Sequence, residues 1–382
     1  MRTSSSPSPS AVERPVAGEP ARAGPPGAQA VPAVRAGRRD DMVTVLLTAW
    51  LLLGLFIDGW AHNTRPQLET FFTPWHAAFY SGFAATAAWM GWLVWTRHRA
   101  AGGSWRAAVP AGYGLGLAGL ALFVVSGLGD MTWHLVFGIE QDITALLSPT
   151  HLGLFTAGFL IGTTPLRSAW ADPGLGREAG LGRLLPAVLS ATLTGTGMAF
   201  FFMYLHPMFE NVVSLDHARF LSDYAYPQGY VGRLAIEAAI PGFILSTVFL
   251  FGPLLFLLRR WQLPAGSAAI TLGVQSVLIQ ALTGFEDAGL AVLGVVGAVA
   301  VEALLAALRP SPGARWRLWL FCALAPVVFW GVYFGGIGLH DGGLGWTPEV
   351  WGGALIWSSL TLLALAMIMF PQRVPAEPAE AA

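Results

Sequence analysis

Apolar runs separated by short polar stretches recur ten times along this chain, at Met42–Trp60, His76–Trp95, Ala108–Trp133, Pro149–Pro165, Leu185–Leu205, Val231–Leu258, Ala265–Thr283, Ala288–Leu308, Trp316–Gly338 and Val350–Phe370. Each is close to the roughly 20 residues that carry a helix across a bilayer. Membrane-spanning strands would be about half as long and would alternate apolar with polar positions, and these runs do neither. The pattern predicts an all-α, polytopic integral membrane protein of about ten transmembrane helices. Residues 1–40 are rich in Pro, Ser, Ala, Gly and Arg, a composition with no apolar face to pack. A disordered tail is expected there, and a second one over residues 371–382.

Composition strengthens the assignment. Across 382 residues, 54% are hydrophobic and only 11% charged, and the mean hydropathy is +0.58, well outside soluble globular norms. The lipid bilayer is therefore the first partner. All 21 basic side chains are arginine, and basic residues collect on the cytoplasmic side of a membrane. Arginines precede the first run (Arg35, Arg38, Arg39) and follow the second, fourth, sixth, eighth and tenth, with only Arg65, Arg219 and Arg233 on the other side. This predicts a multi-pass protein of the cell membrane with both termini cytoplasmic and its helices arranged as outward-facing hairpins. The dispersed arginines give no support for nucleic-acid binding. The single cysteine, Cys322, excludes an intramolecular disulfide and a thiolate-rich metal site.

Seven of the eight histidines fall on or beside the outward hairpins, and two of those hairpins repeat one another. The first reads Asp58-Gly-Trp-Ala-His62, then Thr73-Pro74-Trp75-His76; the second reads Asp130-Met-Thr-Trp-His134, then Ser148-Pro149-Thr150-His151. Residues four apart share a helix face, so Asp58 with His62, and Asp130 with His134, can serve one ion. Proline suits the first turn of the next helix, which brings His76 and His151 back toward the same point. Two imidazoles and a carboxylate make a donor set suited to copper, zinc or iron. A lone Asp-x-x-x-His reads more simply as a solvated helix end; repetition of the whole constellation argues against that. Glu69, Glu140 and Asp142 in the hairpin loops, and His206 and His217 in a longer third loop that also holds Met208, are candidate additional ligands. Glu237 and Glu302 are intramembrane carboxylates, the default candidates for a proton-handling or functional role.

Residues 43–164 resemble one membrane-embedded, copper-binding component of the copper-dependent membrane monooxygenases, the particulate methane and ammonia monooxygenases. That component carries a D-x-x-W-H followed by T-P-x-H, and then an N-x-x-x-H followed by P-x-H, and binds copper at two neighbouring sites. The resemblance implies copper at Asp58, His62 and His76 and again at Asp130, His134 and His151, with Asp130 standing where the family has asparagine. It also implies partner monooxygenase subunits and a homo-oligomeric assembly. On this reading residues 41–166 are repeated helical hairpins bearing the metal sites, and residues 167–370 supply additional transmembrane helices without counterpart. The expected function is a copper-binding membrane protein, a component of an oxygen-activating hydroxylase of small apolar substrates. The alternative is a non-enzymatic metal handler serving transport, copper delivery or assembly, and a purely structural polar cluster is a third reading.

Overall fold

The structure, a computed structural model, describes residues 34–65, 71–138, 146–223 and 230–371, without the side chains of residues 221–238. The expected tails fall almost wholly outside the described residues, as do Glu69, Glu140, Asp142 and the side chain of Glu237. The helices are α1 (Arg38–Thr64), α2 (Pro74–Ala101), α3 (Trp105–Ala108), α4 (Gly114–Phe137), α5 (Pro149–Gly162), α6 (Thr164–Ala171), α7 (Leu181–Phe201), α8 (Leu215–Asp223), α9 (Tyr230–Leu258), α10 (Ser267–Ala281), α11 (Ala288–Leu308), α12 (Arg315–Asp341) and α13 (Pro348–Met369). Among the described residues there is no strand, only an isolated bridge between Ser311 and Ala314.

All ten expected runs are helical where described, and among the described residues seven helices are long and apolar enough to cross a membrane: α1, α4, α7, α9 from Ala239, α11, α12 and α13. The molecule is thus a helical, multi-pass membrane protein. The other three expected spans correspond to α2, α5 and α10. The last two are 14 and 15 residues long, about 21–23 Å of helix against a hydrocarbon core of about 30 Å. α2 has the length but carries Thr96, Arg97, His98 and Arg99 in its last turns.

Helix approach is set by small residues, as membrane packing requires where lipid is as apolar as leucine. α1 runs along α2, and the crossing is reciprocal. A Cβ on Gly54 would lie 2.6 Å from the Phe79 Cα, and one on Gly82 would lie 2.6 Å from the Leu51 Cα. α4 runs along α5 in the same manner, with Gly119 against Leu160 and Gly153 against Ser126. α7 then packs on α1, α5, α9 and α10 and joins this first group to the rest. Beyond it lies an aromatic core in which Phe243 of α9 stacks on Phe334 of α12 and meets Trp330 edge to face. Trp330 Nε1 donates to Thr247 Oγ1 at 2.9 Å. Glu302 of α11 accepts from the backbone N–H groups of Ala268 and Ala269 at 2.8 and 3.1 Å, so this intramembrane carboxylate caps the start of α10.

Because Gly54 faces backbone rather than a movable side chain, Gly54→Leu is expected to force α1 and α2 apart. The cost should reach or exceed the ~1–3 kcal/mol usual for overpacking. Gly91→Leu, whose Cβ would meet nothing within 4 Å, should leave stability unchanged. Thermal unfolding of the detergent-purified variants, followed by tryptophan fluorescence, checks both.

Candidate metal centre

One local rule positions two of the histidines. Thr73 and Ser148 are the N-caps of α2 and α5, and Pro74 and Pro149 follow as first helical residues. The cap oxygens accept from the backbone N–H of His76 at 3.1 Å and of His151 at 3.2 Å. Each imidazole therefore stands in the first turn, three residues past the cap, and folds back over it. His62 and His134 sit instead in the last turns of α1 and α4, four residues beyond Asp58 and Asp130.

The result is two groups of three, Asp58 with His62 and His76, and Asp130 with His134 and His151, in each of which the ligand atoms lie within 4.8 Å of one another. Asp58 Oδ2 is 3.8 Å from His62 Nε2 and 3.5 Å from His76 Nε2. Asp130 Oδ1 is 3.6 Å from His134 Nε2 and 3.3 Å from His151 Nε2. The groups adjoin, with the rings of His76 and His134 6.5 Å apart. Phe71 stacks on His76 at 4.8 Å and stands 6.0 Å from His134.

These separations decide between two kinds of contact. A hydrogen bond from imidazole to carboxylate spans about 2.7–3.2 Å, shorter than any of the four. Two ligand atoms bonded to one ion at about 2.1 Å in tetrahedral geometry stand about 3.4 Å apart, the middle of the observed range. Proton placement agrees. His76 Nδ1 lies 2.7 Å from the Phe71 carbonyl oxygen and His134 Nδ1 lies 3.2 Å from that of Gly138. A carbonyl only accepts, so the proton belongs on Nδ1, and in the neutral ring Nε2 turns a lone pair toward the carboxylate. Nδ1 anchored on protein and Nε2 aimed at a carboxylate is the arrangement of metal-binding histidine.

Asp58 adds a further sign. Its Oδ1 is buried and accepts no hydrogen bond from a described residue. The same helix offers a contrast in Asp41, whose two carboxylate oxygens accept from Tyr113 at 2.8 Å and Ser168 at 3.0 Å. A buried carboxylate left unsatisfied is costly, and a cation removes that cost. The residues present therefore fit a metal ion at each group.

All six side chains face one cavity of about 130 Å³. Away from them its wall is mostly apolar, with Leu51, Leu52, Leu55, Phe79 and Phe123 from the first four helices and Phe155, Phe159, Met198, Phe200 and Phe201 from α5 and α7, and with Thr194 and Tyr204 among its few polar members. It reaches Thr48, ten residues before Asp58 on α1 and so about 15 Å along the helix. The α7 side of this wall escaped the sequence reading, because an apolar face on a transmembrane helix looks the same whether it meets lipid or a cavity. The supporting groups Phe71, Ser148 and Thr150 were missed too, although the Thr/Ser-Pro-x-His spacing carried the capping signal.

The other candidate ligands among the described residues, His206 and His217, lie elsewhere, while Glu69, Glu140 and Asp142 fall outside them. Among the described residues only the two groups above bring three ligands together. His206 is buried in the loop after α7, where its Nδ1 accepts from the Met208 N–H at 3.1 Å. Burial pushes its pKa down to about 3, so it is a neutral packing residue. Met208 is fully buried beside Gly294, and His217 lies on α8 near Phe220. Comparison with family models, curated proteins and solved structures finds no match to this chain.

The apolar end of a cavity of this size is suited to xenon, and Gly158 in its wall has no neighbour where a Cβ would stand. Xenon-pressurised crystals are expected to show gas in the wild-type cavity. Gly158→Phe should exclude it while leaving the thermal midpoint nearly unchanged.

Proposed function

We propose that this protein binds copper at two sites near the extracytoplasmic face, resembling the two-site copper-binding membrane component of the copper-dependent membrane monooxygenases. On this reading it is a component of an oxygen-activating hydroxylase of small apolar molecules. The observation that carries the metal sites is the set of four imidazole–carboxylate separations, too long for hydrogen bonds and suited to the edge of a coordination shell. The apolar cavity onto which all six ligands open supports the substrate class.

Copper so bound would supply one-electron chemistry toward dioxygen. The chain's own residues do the rest. Asp58, His62 and His76 hold one ion; Asp130, His134 and His151 hold the other. Phe71 and the leucines and phenylalanines of the cavity keep water from the shared space, and the backbone carbonyls of Phe71 and Gly138 fix the tautomers of His76 and His134. We further read α2, α5 and α10 as crossing with the seven long helices, which makes ten spans with both termini cytoplasmic, as the arginine pattern supports. Residues 41–166 then carry the copper sites and residues 167–370 the additional helices, in a complex with partner subunits.

A second reading, copper delivery or assembly without catalysis, draws on the partial exposure of His62 and His151, 22% and 23%, which leaves each site an outer ligand within reach of an exchanging carrier. Ion transport through the bilayer fits less well, since the cavity below the clusters is walled by leucine and phenylalanine.

Full-length protein in nanodiscs, loaded with copper and washed, is expected to retain two ions per chain. His62→Ala or His151→Ala should retain one, the double variant none, and His206→Ala two. Wild-type protein that retains no metal would overturn the proposal. Oxygen uptake with a reductant and candidate partner subunits then separates the hydroxylase from the delivery reading.

A further inference from the structure

The two clusters follow one sequence pattern, yet they differ in what stands behind the ligands. In the second, His151 Nδ1 is 2.7 Å from Ser148 Oγ, Ser148 Oγ is 3.0 Å from Thr150 Oγ1, and Thr150 donates to Asp130 Oδ1 at 3.1 Å. An ionised carboxylate only accepts, so the direction of every proton follows. Thr150 gives its own to Asp130 and accepts from Ser148. Ser148, its proton used, accepts from His151 Nδ1–H. Two ligands of one site are thereby tied to each other, His151 through its outer nitrogen and Asp130 through Oδ1, the same oxygen that faces both imidazoles, and the His151 Nε2 lone pair is turned to Asp130.

The first cluster lacks this loop. His76 Nδ1 lies 2.7 Å from the Phe71 carbonyl and only 3.3 Å from its cap hydroxyl, Thr73 Oγ1. The position of Thr150 is taken by Trp75, packed edge to face on Trp60 at 5.4 Å, so among the described residues no hydroxyl carries the link on to Asp58. Asp58 is left with the bare Oδ1. The helix backbones differ to match. A Cβ on Gly129, the residue before Asp130, would stand 3.2 Å from Thr150 Cγ2, so glycine there admits the threonine; the corresponding residue in α1 is Ile57. The helix-end pair of the second cluster is also the more secluded, with Asp130 and His134 side chains 2% and 3% exposed against 12% and 22% for their counterparts Asp58 and His62, although His151 is more exposed than His76, 23% against 9%. Its two imidazole–carboxylate separations are the shorter pair as well.

We propose that Thr150 is a positioning residue that makes the Asp130 cluster the tighter metal site and leaves the Asp58 cluster as the one that exchanges its ion. The inference rests on the metal-binding reading above. A carboxylate already held in its ligating orientation has less freedom to lose on binding, and a hydrogen bond from a neighbouring side chain to a ligand contributes about 10–100-fold in metal affinity.

The test is chelator competition for copper on full-length protein in nanodiscs, with one cluster disabled at a time. His62→Ala, which leaves the Asp130 cluster, is expected to hold copper at least about tenfold more tightly than His151→Ala, which leaves the Asp58 cluster. Adding Thr150→Val to His62→Ala should weaken binding about 10–100-fold, whereas Thr150→Ser, which keeps the hydroxyl, should restore it. Adding Thr150→Val to His151→Ala should change nothing. Equal affinities in the two backgrounds, or a Thr150→Val loss of the same size in both, would overturn the proposal while leaving two metal sites standing. Absence of binding in both backgrounds would instead overturn the metal reading itself.

Discussion

Two carboxylates, Asp58 and Asp130, lie buried at the edge of a largely apolar cavity, each faced by two imidazoles, and Asp130 alone also accepts from a hydroxyl, that of Thr150. Taking an ionised carboxylate out of water costs several kcal/mol unless hydrogen bonds or an opposite charge replace the lost solvation. Asp41 meets that requirement with two hydroxyl donors. Asp58 does not meet it at Oδ1 among the described residues, and its nearest imidazole nitrogens stand back by the width of a coordination shell. Much of the architecture around the cavity serves to hold that unstable arrangement in place.

Rigid helix ends and close helix crossings do the holding. An N-cap hydroxyl followed by proline fixes the first turn of α2 and α5, and the same hydroxyl lies within reach of the ring nitrogen that must stay protonated. The capping interaction thus sets both backbone and tautomer. Meanwhile Gly54 against α2 and Gly82 against α1 bring those backbones together, so the ligands on the end of one helix reach those on the start of the next. Loosening the crossing by the width of one side chain would open the separations within the Asp58 group beyond any common ion.

What the sequence disclosed follows from the range of each interaction. Helix positions depend on apolar runs, and all ten expected runs are helical. Convergence of Asp58, His62 and His76, and of Asp130, His134 and His151, was legible because i,i+4 spacing and the Pro-x-His start are local and occur twice. His206 and Met208 shared residue chemistry with those groups but not their spacing, and they pack elsewhere. The α7 wall of the cavity and the Thr150 bond to Asp130 depend on which helix faces become neighbours, and no local pattern encodes that. Among the ten runs, α10 proved shorter than the bilayer core because its apolar run extends past both helix ends into turns, and α5 because its run breaks at Thr163 and continues into α6.

The adjacency of the two groups also constrains valence. With four neutral imidazoles, the paired ligand sets carry a formal charge of −2, one from each carboxylate. Two monovalent ions bring the cluster to zero; two divalent ions leave it at +2 within surroundings made mostly of leucine and phenylalanine. Unbalanced charge is strongly penalised where the effective dielectric constant is low. The second divalent ion would therefore bind against the field of the first, and removing an electron from an ion in one site would be felt as a shift in reduction potential at the other.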